Sequence, residues 1–487
     1  MSKKNQNYTN RKQNRFHPER MRGNVFVNNS GKQWLPGENG RAAKVERLLR
    51  RTKEEKKEIA GNMAGYKDSE VEWIGAIPKE WNTCKIDTLY SVRSSRVSDR
   101  DFMPLSVTMQ GVLPRLQSVA KTDNHDDRKL VMKNDFVINS RSDRRGSCGI
   151  SQYDGSVSLI NIVLKPTPKN ITMEPRYFGW LFRSSVFSDE FYRLGHGIVD
   201  DLWTTTWNDM RKMTVALPPL PEQQRIADFL DTKCGILDRT IDAVSRQIED
   251  LEKYKKALIT KTVTKGICKK GEPERAMKDS VVEWIGGIPE EWDVSKVKYN
   301  FSTFKKIPGK ESEKYERLSL TMNGVKHREK WTAEGLQPKD FMSYQLLRKG
   351  DLVFRLIDLQ NPSKSRRVAL SHDTGLISPA YTILHADNNK MLPEYAEMFF
   401  LMMSYLDVFN ALGSCGVRSS INNAELMKIP VPVPPLAEQQ QIADYLDEKC
   451  KNIDNRVQKR REQLEWLKEY KKSLIFDYVT GKKRVEK

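Results

Sequence analysis

Two short stretches concentrate the side chains that grip nucleic acid. NSRSDRRGS at 139–147 offers Asn139, Ser140, Arg141, Arg144 and Arg145, and RLIDLQNPSKSRR at 355–367 offers Arg355, Gln360, Asn361, Lys364, Arg366 and Arg367. Guanidinium groups pair bidentately with guanine and carboxamides with adenine, while hydroxyls and further cations hold phosphates. A charged loop is more often merely solvated, so neither cluster decides anything alone. Their placement adds weight: each follows a short apolar segment, DFVIN (135–139) and DLVFR (351–355), yet the two differ in composition. Arg418, beside the glycines of GSCGV (413–417), and Trp203 with Trp207, near the matching GHGIV (195–199), are weaker candidates.

Catalytic chemistry finds no such foothold. The sequence has no GxxxxGK[ST] phosphate loop and no GxGxxG after a strand. NPSK at 361 is not the Asn/Asp-Pro-Pro-aromatic stretch that grips a flipped adenine, and DTK (231) and DEK (447) fall in helical segments, not nuclease sites. The 6 histidines are scattered, and Cys84, Cys148, Cys234, Cys268, Cys415 and Cys450 form no CxxC pair. No catalytic or metal-ligating residue is assigned, and neither zinc nor a disulfide framework is expected. The opening MSKKNQNYTNRKQN lacks an apolar leader core, and no apolar run approaches a membrane span, so a soluble cytoplasmic protein is expected.

The balance of charge points to a polyanion. The chain carries 83 Lys and Arg against 64 Asp and Glu, a net +19, which favours nucleic acid as partner. Residues 1–65 hold 16 of the basic and 6 of the acidic residues, a surplus of 10. The body is only mildly basic, so recognition there must rest on where side chains are placed.

The elements that would place them are written twice. VEWIGAIPKEW (71–81) returns as VEWIGGIPEEW (282–292), and LPPLPEQQRIADFLDTKC (217–234) as VPPLAEQQQIADYLDEKC (433–450). The ends of each half match while the middles differ, which is the mark of a duplicated scaffold carrying divergent inserts. Trp73, Trp81, Trp284 and Trp292 are expected to cover the base of each insert or to dock a partner; Glu222, Gln223, Glu438 and Gln439 open the helices that follow the prolines. In the first helix, apolar residues then step by four and three through Leu230, Cys234, Leu237, Ile241, Val244, Ile248, Leu251 and Leu258, interrupted at Lys255. In the second they run through Leu446, Cys450, Ile453, Val457, Leu464, Leu467 and Leu474, interrupted at Arg460 and Lys471. This is a coiled-coil stripe. About 40 helical residues make a rod of roughly 60 Å, and the most accessible partner for each stripe is the other copy, packed antiparallel. Within the middles, VSLINIVLK (157–165) and LISPAYTILHA (376–386) read as strands, and 176–195 and 394–413 as core helices closed by glycine.

The expected fold is therefore mixed α/β, with two globular domains separated by two long antiparallel coiled-coil helices in an internal pseudo-twofold repeat. The expected divisions are a basic extension (1–65) with a helical candidate at 41–60, a first domain (66–217), a first spacer helix (218–265), a linker (266–276), a second domain (277–433), a second spacer helix (434–481) and a tail (482–487).

Two copies of WIGxIPxEW, two of PPLxEQQxIADxLDxKC, and helices ending KYKKALITKTVTKG and EYKKSLIFDYVTGK closely resemble the specificity subunit of type I restriction-modification enzymes over residues 66–481. The resemblance implies that each middle is a target recognition domain reading one half of a split double-stranded DNA site. It also implies that the repeated helices are spacers docking two methyltransferase subunits, through which restriction-translocase subunits join. S-adenosylmethionine, ATP and Mg would then belong to those partners and this chain would hold no cofactor. The basic extension departs from the family pattern. A rod of that length caps the unread spacer at about 18 base pairs, taking roughly 3.4 Å for each. Three rivals remain: a coiled-coil adaptor whose middles bind protein, a DNA-modifying enzyme in its own right, and a specificity subunit serving a methyltransferase that has no nuclease.

Overall fold

The computed structural model describes residues 65–486 apart from 116–125, 142–143, 168–172, 198–202, 268–270, 272–274, 330–339, 360–365 and 414–418. The helical candidate at 41–60, with Gln360, Asn361, Lys364 and Arg418, lies outside the described residues. The chain forms two compact units. The first runs to Lys233 and takes in Lys472 onward, and the second is Cys234–Lys471. Contacts thus divide each long helix between the units, whereas the sequence places the spacers apart from the domains.

The middles diverge in sequence but share one sheet. In the first unit, among the described residues, the order is Cys148–Ile150, Phe136–Asn139, Asn161–Pro166, Tyr90–Val92, all antiparallel. In the second it is Val368–Leu370, Leu352–Phe354, Thr382–Ala386, Phe301–Ser302, again antiparallel. DFVIN and DLVFR read as apolar runs because both faces of their strand are covered. Successive side chains alternate between the faces. Phe136 meets Phe182 at 4.7 Å on the helix side, whereas Val137 joins Leu105, Val112, Val131 and Val157 on the other. Phe354 and Val353 divide likewise, between Phe400 at 4.9 Å and a cluster of Leu318, Leu320, Leu347 and Ile377. The leading aspartates set the turn into the strand. Asp135 accepts the Met132 amide (2.8 Å) after Asn134 at φ 72, and Asp351 accepts the Arg348 amide (2.8 Å) after Gly350 at φ 89.

Two sequence expectations are corrected. VSLINIVLK and LISPAYTILHA are not single strands. Each is cut by a turn, closed by Asn161 N donating to Ser158 O (3.0 Å) and Tyr381 N to Ser378 O (3.2 Å), so the chain passes from one sheet to another. The core helices are also broken. Ser184 ends Pro175–Arg183 and caps Ser185–Arg193, its hydroxyl accepting from Phe187 N, while Asp407 at φ 59 separates Pro393–Tyr405 from Val408–Leu412. The apolar pattern runs on across both breaks because the paired helices bury the same side.

The spacer helices span Leu220–Lys265 and Leu436–Val479, 46 and 44 residues, or about 65–70 Å each. Within the second unit, Val244, Ile248, Ile453, Val457 and Leu467 form one apolar cluster, with Leu237, Ile241, Leu251, Leu258 and Leu464 packed against it. Lys471 bonds Asp238, Arg461 bonds Glu252 and Lys255 bonds Asp454. One partner number climbs as the other falls, so the pairing is antiparallel. Lys255 and Lys471, which interrupt the stripe, are therefore the ion-pairing positions. They stand at the same register of the two copies, as do Asp454 and Asp238. Exchanging the helices maps one ion pair onto the other, the local signature of a twofold relation.

Candidate nucleic-acid interface

The first cluster is a tight loop whose backbone is pinned from below. Asn139 N donates to Ser147 O (2.9 Å), Arg144 N to Arg141 O (3.2 Å) and Ser147 N to Arg144 O (3.0 Å), with Gly146 at φ 75 making the turn. The Tyr192 hydroxyl donates to Asn139 O (3.1 Å) and lies 3.4 Å from Arg144 O. Asn139 Oδ1 accepts the Arg141 amide at 3.1 Å, and Ser140 is buried with its hydroxyl donating to Ile160 O at 2.6 Å. Arg141 forms a β-bridge with Thr204 and is half-buried. Arg144 and Arg145 are exposed, Arg145 lying 5.2 Å over the Tyr192 ring and 3.6 Å from Asp189. Asn139 and Ser140 shape the loop, then, and Arg144 and Arg145 are its exposed arginines.

The second cluster sorts its arginines differently. Arg367 is 9% exposed, and its guanidinium donates to the carbonyls of Ile357 and Asp358, each at 3.2 Å, and to that of Leu359. Burial, then neighbouring Arg355, pulls its pKa below the usual arginine range. Asp358 sits at φ 54, so the chain turns here and presents these carbonyls to the guanidinium. Arg367 satisfies them, which corrects its placement among the base-reading residues. Arg366 is half-buried, its amide donating to Thr321 O (3.2 Å) and its Nε to Met322 O (2.9 Å). Arg355 is half-buried beside the same loop, its amide on Arg367 O at 2.8 Å.

Arg366 leads to an element that sequence reasoning missed. LSVTMQGVLPR (105–115) and LSLTMNGVKHR (318–328) share 7 of 11 residues. Each folds as a hairpin with a two-residue tip between paired Thr and Gly, Thr108 with Gly111 and Thr321 with Gly324. The threonine hydroxyls lie 3.0 and 2.9 Å from the glycine carbonyls, and accept the amides of Gln110 and Asn323, both at 3.1 Å. Each tip carbonyl is held by an arginine: Arg183 donates to Met109 O at 3.2 Å, as Arg366 does to Met322 O. Beside the first cluster, a methyl built on Gly146 would lie 4.0 Å from Met109 Cε. A third repeat was the available signal, masked by the divergence around it.

The twice-written ends are internal. Trp81 Nε1 donates to Glu222 (2.9 Å) and Trp292 Nε1 to Glu438 (2.9 Å), with both tryptophans fully buried. Arg484 lies on Glu222 and Arg275 on Glu438. Gln223 accepts the Glu174 amide and donates to Pro218 O; Gln439 accepts the Leu392 amide and donates to Pro434 O. Tyr177 donates to Val479 O in one unit and Tyr395 to Val263 O in the other, fastening the end of a spacer helix into each. Trp73 and Trp284 keep an exposed rim, packing edgewise on Phe187 at 6.1 Å and tilted on Phe399 at 5.7 Å. The other six have polar atoms already committed inside the fold.

Burial raises the thiols of Cys84 and Cys148 to about 12 and that of Cys450 to about 11, which keeps them protonated. Among the described residues no cluster of three or more His, Cys, Asp or Glu could hold a metal, and no helix is long and apolar enough to cross a membrane.

The type I restriction modification DNA specificity domain matches residues 78–253 and 380–465, over half of the chain. The chain belongs to the type I restriction-modification specificity family. DNA target recognition is its task. It is 25% identical over 444 residues to the type I restriction enzyme MjaVIII specificity subunit of Methanocaldococcus jannaschii, covering 84% of this chain and 94% of that one. It is 21% identical over 322 residues to the EcoDI specificity subunit of Escherichia coli, covering 62% and 68%. A solved chain from work on complex assembly and conformational transition of the type I R-M system shares the fold, with a TM-score of 0.57, 14% identity and coverage of 83% and 98%. For a specificity subunit, the two sheets of equal order present their differing loops as the natural places for two readings.

Proposed function

We propose that this specificity subunit reads a bipartite, asymmetric DNA target, one half with each unit, and docks two methyltransferase subunits and through them restriction subunits. The observation carrying the reading is the repetition of one sheet order beneath two unlike loops, Arg144 and Arg145 in one unit and Arg355 in the other. Equal frames with unequal side chains suit two different half-sites, where a true twofold would suit a palindrome. Gln360, Asn361 and Lys364 of the second loop, together with Arg418 beside GSCGV, stay as proposed contacts on their sequence positions. The chain is proposed to catalyse nothing itself, with S-adenosylmethionine, ATP and Mg held by its partners, and to work in the cytoplasm.

Genome-wide mapping of methylated adenine in the source cell, with and without this chain, tests the proposal. Loss of a single split motif with two unlike halves is expected. An unchanged methylation map, or loss of a palindromic motif, overturns it.

A further inference from the structure

The hairpin tips Met109-Gln110 and Met322-Asn323 differ from the arginine loops in carrying the same side-chain chemistry in both units, a methionine followed by a carboxamide. Their turn accounts for part of this. Threonine closes it by bonding the amide two residues on, and the glycines sit at φ 121 and 88, where a side chain would be strained. Asparagine before glycine is itself a common turn residue. Glutamine is not, and no turn calls for methionine, yet Met109 is 71% exposed and Met322 56%. Gln110 and Asn323 are exposed beside them. Both tips therefore present one carboxamide and one flexible thioether to solvent, each beside an arginine loop. They are held in place by the Arg183 and Arg366 bonds to the methionine carbonyls.

That pairing has a specific complement. A carboxamide bonds bidentately to N6 and N7 of adenine, and an apolar group meets the thymine methyl on the same major-groove edge. We infer that each tip reads an A·T pair, Gln110 in the half-site of the first unit and Asn323 in that of the second, with Met109 and Met322 against the thymine methyls. The arginine loops then read what differs between the half-sites, and the tips read what they share. The inference rests on the proposed two-reader function and names two further specificity-determining residues within it.

The test replaces the chromosomal gene with Gln110→Ala or Asn323→Ala and maps methylated adenine across the genome. The turn bonds run through Thr108, Thr321 and the backbone, so neither change removes a hydrogen bond that closes the hairpin. Each variant should make one A·T position degenerate in its own half-site, with discrimination there falling about tenfold to a hundredfold, and leave the other half-site intact. Gln110→Asn and Asn323→Gln, which keep the amide, should retain the preference for adenine. Competition binding of the purified complex to duplexes carrying each base pair at that position gives the same reading without methylation. A motif that stays fully specified, whether methylation is steady or falls equally at every site, overturns the inference and marks the tip as a phosphate contact or a bystander. If the wild type shows no split motif at all, it is the two-reader function that fails, which separates the two outcomes.

Discussion

Three arginines of similar sequence context meet different fates. Arg144 and Arg145 are exposed on their loop, while Arg367 turns inward to three carbonyls of Ile357, Asp358 and Leu359. Composition could not separate them. What decides is whether the turn presents its carbonyls to the guanidinium, and only the φ of Asp358 discloses that. Arg367→Ala should cost about 1–3 kcal/mol by stranding those acceptors, read as a lower denaturant midpoint, and should weaken DNA binding without favouring any base. Arg144→Ala with Arg145→Ala should lower the midpoint by only what exposed contacts such as Arg145 with Asp189 contribute, within about 1 kcal/mol, and weaken binding. Each phosphate that is no longer neutralised should lower the slope of log affinity against log salt by about one. An unchanged slope with altered base preference would place them on base edges instead. The hairpin tips were legible in principle, since LSxTMxGV recurs, but seven matches among eleven are easily overlooked between strongly repeated ends.

At the scale of elements, the duplicated phrases were the readable part. The tryptophans, the EQQ residues and the spacer stripe all recur because each unit needs the same clamp, Trp to Glu and Tyr to the end of a helix. The breaks at Ser184 and Asp407 and the turns inside the two strand candidates escaped, because apolar periodicity continues through them while the backbone bends. Trp81→Phe should remove the bond to Glu222 and leave its buried carboxylate with Arg484 as partner. A loss of about 1.5–3 kcal/mol is expected for a hydrogen bond to a charged group, seen as a lower melting temperature of the full chain. Lys471→Ala should cost within about 1 kcal/mol, since Asp238 is largely exposed and its ion pair is screened.

Lys482, just beyond the second spacer helix, donates to Ile74 O (2.9 Å) and Ala76 O within the first repeated phrase. Burial lowers its pKa to about 8 from an ordinary 10.5. Between those values the unfolded chain binds more protons than the folded one, so stability rises with pH across that window. It is flat below, where both states are protonated. Wild type measured against Lys482→Met should therefore gain stability from about pH 8 upward, and a difference independent of pH would refute the role given to burial.

At the scale of the whole molecule, one sheet plan is used twice under loops that differ. The net +19 suggests a polyanion, but a surplus of 10 sits in residues 1–65, and the units depend on placement more than on bulk charge. Ends that match and middles that diverge were enough to give the two-unit plan from sequence. The shared sheet order was not, because its strands agree in buried pattern and not in residue identity. The central claim is that each unit reads its own half of one target. Its most direct measurement is to exchange residues 93–216 for those of another family member and map methylated adenine across the genome. The expected motif keeps one half and changes the other; a motif altered in both halves, or in neither, would contradict the two-reader design.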